Sequence, residues 1–247
     1  MNISRGPRSL LSLLILGVLT SLLPGAAAVQ ADVLITVDDF DSGDLEVTVP
    51  GPAPPAQSDA SLVSCTVCLG GEREILVNTY ESDSMFRDTS ASVDTVTGRF
   101  FASTEPTVSG DTTVSYGSTA DLNLDLTRGG GVAIEVHVSD PAADPDGQIE
   151  STFTLTDDLG NTAVGALMLG DISTLTLVEL GFSDFMVEPG FDFSDVDRIE
   201  IHVNLEDPNQ QVDFDSLSVV ESDSVGPGRD ADPPQSPPIW FPPSIPI

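Results

Sequence analysis

The stretch VDFDSLSVV at residues 212–220 indicates how the chain is expected to fold. Val212 and Phe214 alternate on one side of an extended strand. The next apolar residues, Leu217 and Val219, reach that side only if one extra residue intervenes. A one-residue slip in a period of two is what a β-bulge produces. The stretch therefore predicts a bulged, half-buried strand that closes a β-sheet domain.

A similar pattern opens the predicted domain in VLITVDDFDSG, residues 33–43. Apolar residues alternate as far as Val37, and the triplet DFD at residues 39–41 then breaks the phase. The closing stretch carries the same triplet at residues 213–215. We expect the two triplets to lie close together, because the first and last strands of such a domain can meet at its closure.

The sequence between these two stretches predicts an all-β fold. Short runs of alternating apolar and polar residues recur between Gly, Asp, Asn and Pro, and almost no segment has a helical period. The clearest run spans residues 132–139, and another run at residues 121–126 is also expected to be a strand. Roughly ten to twelve such strands predict a two-sheet antiparallel sandwich of the jelly-roll type.

The two ends of the chain differ from this body. Residues 1–31 combine early arginines, an apolar run and small residues before Ala31, the pattern of a secretory signal peptide. Residues 32–221 form the predicted β-sandwich domain, and the proline-rich residues 222–247 are predicted to be a disordered tail. We expect a secreted protein, extracellular or periplasmic, with no membrane span after the signal is cleaved.

The charge of the chain excludes some partners. Forty acidic residues stand against eight basic residues, all of them arginine, and the formal net charge is −32. Such a surface repels nucleic acid and anionic membranes. It also suits either solubility in high salt or the uptake of divalent cations, and composition does not separate these two.

The aspartates of the two DFD triplets are candidate calcium ligands. Ca²⁺ takes several oxygen ligands, commonly from Asp side chains in loops. Asp39, Asp41, Asp213 and Asp215, together with the adjacent Asp38, could supply them if the chain ends meet. The alternative is that these aspartates are solvated or pair with arginine. A second acidic stretch, DPAADPDG at residues 140–147, matches an EF-hand loop only in part.

Two Glu-x-His pairs, Glu135/His137 and Glu200/His202, place metal-binding residue types on the polar side of predicted strands. If the two strands were neighbours, the four side chains would share one patch that suits zinc or copper. The alternative is two exposed histidines on a solvated sheet face, which is the commoner situation.

Little in the sequence indicates catalysis. The chain lacks the G-x-S-x-G, H-E-x-x-H and phosphate-loop motifs. A polysaccharide hydrolase needs only two carboxylates, but nothing singles out a pair among forty acidic residues. Cys65 and Cys68 lack the strand–CxxC–helix context of a redox site, so we expect a local disulfide or two free thiols.

A carbohydrate-binding face needs exposed aromatic side chains beside polar groups. The chain has few candidates, since Trp240 lies in the tail and the two tyrosines are Tyr80 and Tyr116. The phenylalanines, including Phe100 and Phe101, are expected mainly in the core.

An ordered series of five motifs resembles a widespread set of exported bacterial proteins of unknown function, many of which end in a PEP-CTERM sorting tail. The motifs are VDDFDSG (37–43), LGGEREILV (69–77), DLNLDLTRGGGVAIEVHVSD (121–140), DFSDVDRIEIHV (192–203) and VDFDSLSVVE (212–221). This chain departs from the pattern at its end, where Trp240, Phe241 and prolines replace the sorting motif.

The expected architecture also looks like that of galactose-binding-like jelly rolls, which include carbohydrate-binding modules. Such proteins often hold a structural calcium near the first and last strands. The resemblance implies a calcium at Asp39 and Asp41 together with Asp213 or Asp215.

These observations predict a secreted, non-catalytic β-sandwich, a calcium-stabilised structural or binding module of the cell exterior. Extracellular glycan or matrix is the expected partner. The alternatives are a carbohydrate-binding module for extracellular polysaccharide and a polysaccharide-active hydrolase.

Overall fold

The computed structural model describes residues 32–50, 57–82, 87–139, 148–170, 172–205 and 207–221. The predictions of a signal peptide, an acidic loop and a tail concern residues outside these ranges. No helix among the described residues is both long enough and apolar enough to span a membrane.

Strands make up most of the described structure. In chain order they are β1 (Val33–Asp38), β2 (Leu45–Pro50), β3 (Gln57–Ser64), β4 (Glu72–Ser82), β5 (Asp88–Asp94), β6 (Arg99–Thr104), β7 (Val108–Tyr116), β8 (Gly129–Ser139), β9 (Ile149–Asp157), β10 (Thr162–Leu169), β11 (Ile172–Gly181), β12 (Met186–Val187), β13 (Val196–Leu205) and β14 (Gln211–Glu221).

The strands form two antiparallel sheets that pack face to face. Sheet I has the order β11-β8-β14-β6-β5-β2, with β1 also paired to β14, and sheet II has the order β12-β10-β9-β13-β7-β4-β3. The orders β6-β14-β8-β11 in sheet I and β7-β13-β9-β10 in sheet II are the strand orders of a jelly roll. The predicted all-β jelly-roll sandwich is therefore confirmed.

The phase slip predicted in the closing strand is present as a bulge in β14. Pairing with β8 shifts register between Phe214 and Ser216, so Asp215 is the extra residue. Phe214 before the shift and Leu217 and Val219 after it are all buried. The bulge keeps apolar side chains in the core on both sides of the slip.

The first and last strands meet, as predicted. The second half of β14 pairs with β1, with Asp38 opposite Leu217. The first half pairs instead with β6, with Phe214 opposite Phe100. The bulge in β14 thus lies where the strand changes its neighbour.

The prediction of a strand at residues 121–126 is wrong. Only Leu124 makes a bridge there, to Val196 at the start of β13. Asn123 has a φ of 52°, a left-handed conformation that interrupts an extended run.

The Cys65–Cys68 pair forms a local disulfide, one of the two expected alternatives. It lies in the turn after β3, where the Cys65 N–H donates to the Gly71 carbonyl at 3.0 Å. The Ser42 hydroxyl oxygen accepts the Thr66 N–H at 3.0 Å. The turn is thereby attached to the loop that follows β1.

A fully buried ion pair joins the two sheets. Arg73 lies on β4 of sheet II, and Asp38 ends β1 in sheet I. Arg73 Nε donates to Asp38 Oδ2 at 2.6 Å, and Nη2 donates to Oδ1 at 2.9 Å. The Tyr116 hydroxyl on β7 donates to Oδ2 at 2.8 Å. One carboxylate therefore binds two strands of the opposite sheet.

The loop after β1 satisfies the rest of the Arg73 guanidinium. Nη1 donates to the Gly43 carbonyl at 3.3 Å and Nη2 to the Ser42 carbonyl at 3.2 Å. The guanidinium carbon also lies 5.1 Å from the centre of the Phe40 ring, a cation–π contact. The chain reaches this position through a left-handed Phe40, with a φ of 55°.

The protonation of the cluster follows from its neighbours. Burial acts to lower the pKa of Arg73, but the Asp38 carboxylate outweighs it and holds that pKa above its ordinary value. Burial and then the charge of Asp38 raise the pKa of Tyr116 well above its ordinary value. At neutral pH the guanidinium is charged and the phenol keeps its proton.

Replacing Arg73 with methionine should destabilise the fold strongly. The Asp38 carboxylate would stay buried without its cation, which costs about 3–5 kcal/mol. Arg128→Met is the matched control, because it breaks an ion pair to Glu221 in which the arginine side chain is 73% exposed. That change should cost less than about 1 kcal/mol. Urea unfolding measures both, and similar small losses would contradict the central role of Arg73.

Candidate functional site

The outer face of sheet I, the side turned away from sheet II, carries a row of side chains in direct register. Pairing across strands β2, β5, β6, β14 and β8 aligns Glu46, Ser92, Phe101, Asp213 and His137. Adjacent strands are about 4.8 Å apart, so this central row runs for about 19 Å across the sheet.

Phe101 is a partly buried aromatic residue in the middle of the central row. Its neighbour Phe100 is fully buried and stacks on Phe214 in the core, with ring centroids 5.6 Å apart. Successive side chains of a strand alternate between faces, so Phe101 points outward. The expectation of a core position holds for Phe100 and fails for Phe101. The alternation of RFFAST in β6 was the sequence signal for the difference.

Asp213 is held by two polar partners. Its Oδ2 lies 3.0 Å from His137 Nδ1, and its Oδ1 accepts the Gln211 side-chain amide at 2.8 Å. Because an ionised carboxylate only accepts hydrogen bonds, Nδ1 of His137 carries the proton. The network fixes the orientation of three neighbouring polar side chains on β8 and β14.

A second polar group lies beside the central row, at the bulge. Arg99 Nε donates to Asp215 Oδ1 at 3.2 Å, and both side chains are about one-third exposed. This is one of the arginine pairings that the sequence left open. Burial and then the nearby Asp215 carboxylate raise the pKa of Glu135, against the opposing charge of Arg99. The charges of Arg99, Glu135 and Asp215 therefore influence one another at this place.

An open depression of about 570 Å³ continues the central row towards the β2–β5 edge of sheet I. It has the size of ordinary ligand sites, although it is shallow. Its lining is Asp44, Leu45, Glu46, Ser92, Val93, Asp94 and Val96.

The aspartates predicted to hold calcium lie near the junction of the first and last strands. The prediction of Asp38 as a ligand is wrong, because it is buried and bound by Arg73 and Tyr116. Asp213 and Asp215 lie on the outer side of β14, where Asp213 is only 4% exposed and both are already bound to the histidine, amide and guanidinium described above. Asp39 Oδ1 accepts the Asp41 N–H at 3.2 Å, and the Asp41 carboxylate packs against Gly98. No group of three or more His, Cys, Asp or Glu side chains in the described part of the chain is arranged to hold a metal. The calcium site stays a prediction.

The hypothesis of a shared Glu-His metal patch is wrong. Glu135 and His137 lie on β8 in sheet I, whereas Glu200 and His202 lie on β13 in sheet II. Glu200 instead pairs with Arg198 at 2.9 Å. Each pair faces outward from its own sheet, so the four side chains cannot meet.

The outer face of sheet II is the alternative surface on which a ligand could bind. Tyr80 is 44% exposed on β4, but it lies at a register shift between Thr79 and Glu81, near the end of the strand. A smaller cavity of about 190 Å³ lies elsewhere along this sheet. Its lining contains no aromatic side chain among the described residues, namely Gln148, Glu150, Met168, Asn204, Asp207 and Gln210.

Glu135→Gln should change stability in a pH-dependent way. A raised pKa means that the folded protein binds this proton more tightly than the unfolded chain. The stabilisation is complete at low pH and is lost as pH rises through the folded-state pKa. We expect the variant to be more stable than the parent at neutral pH and equal to it in acid, below the ordinary glutamate pKa. Urea unfolding across this range measures it, and a pH-independent difference would contradict it.

The calcium prediction is tested by thermal melts in Ca²⁺ and in EDTA. If the cation binds at the DFD triplets, Ca²⁺ raises the Tm of the parent protein. The same addition leaves the variant with both Asp213→Asn and Asp215→Asn unchanged. A parent Tm that is the same in Ca²⁺ and EDTA rules the site out.

No protein family and no curated protein matches the chain. Among solved structures, the chain is similar to the family 11 carbohydrate-binding module of a cellulosomal cellulase of Clostridium thermocellum. Identity is 14%, the TM-score is 0.39, and the match covers 77% of this chain and 96% of the module. The solution structure of CtCBM11 matches at 15% identity and a TM-score of 0.42, and the match covers 79% of this chain and 98% of that chain.

TmCBM61, solved with β-1,4-galactotriose, matches at 12% identity and a TM-score of 0.30, covering 68% of this chain and 89% of that chain. These scores are low. The fold assignment therefore stands on the strand order, and the functional argument stands on the residues of the outer face of sheet I.

Proposed function

We propose that this protein is a non-catalytic binding module that holds a glycan against the outer face of sheet I. The observation that carries the proposal is Phe101, an outward aromatic side chain at the centre of a row of oriented polar groups. This makes carbohydrate binding, rather than a purely structural role, the function that the geometry supports best.

The chemistry of the row suits a sugar ring. A phenylalanine face packs against the C–H surface of a pyranose, which is the apolar part of the sugar. On one side of Phe101, Ser92 offers a hydroxyl to sugar hydroxyls. On the other side, Asp213 is only 4% exposed, so its part is to hold His137 and Gln211 in place. His137 Nδ1 is occupied by Asp213, which leaves Nε2 for other partners. Ligand hydroxyls both donate and accept, so they complement this mixture.

The site is organised before any ligand arrives. Phe101 and Asp213 lie opposite one another on β6 and β14, two inner strands of sheet I. The stacked Phe100 and Phe214 rings hold the same pair of strands from the core side. Binding groups on rigid strands lose little conformational entropy when a ligand binds, and this improves affinity.

Two features favour binding over turnover. The Asp215 carboxylate beside Glu135 is already bound to Arg99, so these two acids are not a free pair of the kind that flanks a scissile glycosidic bond. The face is also an open sheet surface rather than a closed cleft that excludes water.

The predicted signal peptide directs the proposal to glycans outside the cell. A protein exported through residues 1–31 would meet extracellular or cell-wall polysaccharide rather than cytoplasmic metabolites.

Phe101→Ala should weaken glycan binding by about tenfold or more, because truncating a central aromatic contact typically costs over 1 kcal/mol. Tyr80→Ala is the matched control, since it removes an exposed aromatic from sheet II and should leave affinity unchanged. Native electrophoresis through gels that contain soluble polysaccharides measures both. Loss with Tyr80→Ala alone would move the site to sheet II, and no retardation by any polysaccharide would refute the proposal.

A further inference from the structure

The basic groups on the binding face are already paired. Among the described outward residues of β2, β5, β6, β14 and β8, the basic side chains are Arg99 and His137. Arg99 is bound by Asp215 at 3.2 Å, and His137 is bound by Asp213 at 3.0 Å. A ligand carboxylate or sulfate would have to break an existing pair to gain a cation.

The depression that continues the row is acidic. Its lining contains Asp44, Glu46 and Asp94, and no basic side chain is among its lining residues in the described structure. The Thr95 hydroxyl donates to Asp44 Oδ1 at 2.6 Å and its N–H at 3.0 Å, and these bonds hold the pKa of Asp44 below its ordinary value. The carboxylate therefore stays ionised at neutral pH.

The binding groups are ordered across the strands rather than along one strand. The central row crosses five strands in unbroken register, from Glu46 on β2 to His137 on β8. Phe101 lies at its midpoint. A row of about 19 Å is long enough for several sugar rings, more than one monosaccharide occupies.

We propose that the ligand is an uncharged polysaccharide whose extended chain lies along the central row, across the strands of sheet I. This inference rests on the proposed glycan-binding function and narrows it to one chemical class. The Glu46 carboxylate and the Ser92 hydroxyl of the row accept hydrogen bonds from sugar hydroxyls. Glu46 and the other acidic residues of the depression repel uronate and sulfate groups, because no unpaired cation on the described face offsets them.

Matched polymers test the inference. Hydroxyethyl cellulose against carboxymethyl cellulose, agarose against carrageenan, and methyl-esterified against de-esterified polygalacturonate compare neutral and anionic chains of related backbone. The full secreted chain should bind the neutral member of at least one pair, and its anionic partner about tenfold more weakly at low salt. The gap should shrink as salt rises, because ions screen the repulsion.

Site-specific repulsion is separated from the overall charge of −32 by two variants. Glu46→Gln removes one charge from the row and should narrow the gap between neutral and anionic polymers. Glu150→Gln removes one charge from sheet II and should leave the gap unchanged. Equal narrowing by both would overturn the inference, because the discrimination would then come from the whole protein.

The remaining outcomes distinguish the inference from the proposed function. Equal or tighter binding of the anionic polymers overturns the inference and leaves glycan binding intact. Binding of no polymer overturns both. Affinity for oligosaccharides cut from the bound neutral polymer should rise with length and then level off. Affinity that is already maximal for a monosaccharide would exclude a chain lying along the row.

Discussion

The buried Asp38 carboxylate, bound by Arg73 and Tyr116, is the constraint on which the sandwich depends. It is the point where β1 of one sheet is fastened to β4 and β7 of the other. A carboxylate buried to this degree is tolerated only because a guanidinium, a phenol and the backbone N–H of Phe40 together satisfy it. With β1 fixed in this way, its pairing with β14 is fixed as well, and Asp38 lies opposite Leu217.

That pairing also determines what the binding face displays. β14 serves two neighbours in turn, β6 and then β1, and the bulge at Asp215 is where it changes between them. The bulge lets Leu217 return to the core while Asp213 and Asp215 both face outward. Phe101 stands opposite Asp213 because β6 is in register with this first half of β14. The register of β14 with its neighbours therefore determines both how the core packs and which polar side chains the outer face displays.

Part of this architecture could be predicted from the sequence, and the physical reasons can be named. The slip in VDFDSLSVV predicted the bulge because period-two alternation is a local property of the strand. The pairing of Arg73 with Asp38 could not be predicted, because the two residues are 35 positions apart in the sequence and only the fold brings them together. The strand expected at residues 121–126 failed at Asn123, whose left-handed backbone no apolar pattern reveals.

The account's central claim is that one face of sheet I, assembled by the register of β14, is where the glycan binds. Amide chemical-shift mapping during titration with uncharged cello- and galacto-oligosaccharides tests it most directly. The account predicts shifts that concentrate around Ser92, Phe101, Asp213 and His137, with sheet II unaffected. Saturable shifts confined to the outer face of sheet II, around Tyr80 or His202, would contradict it.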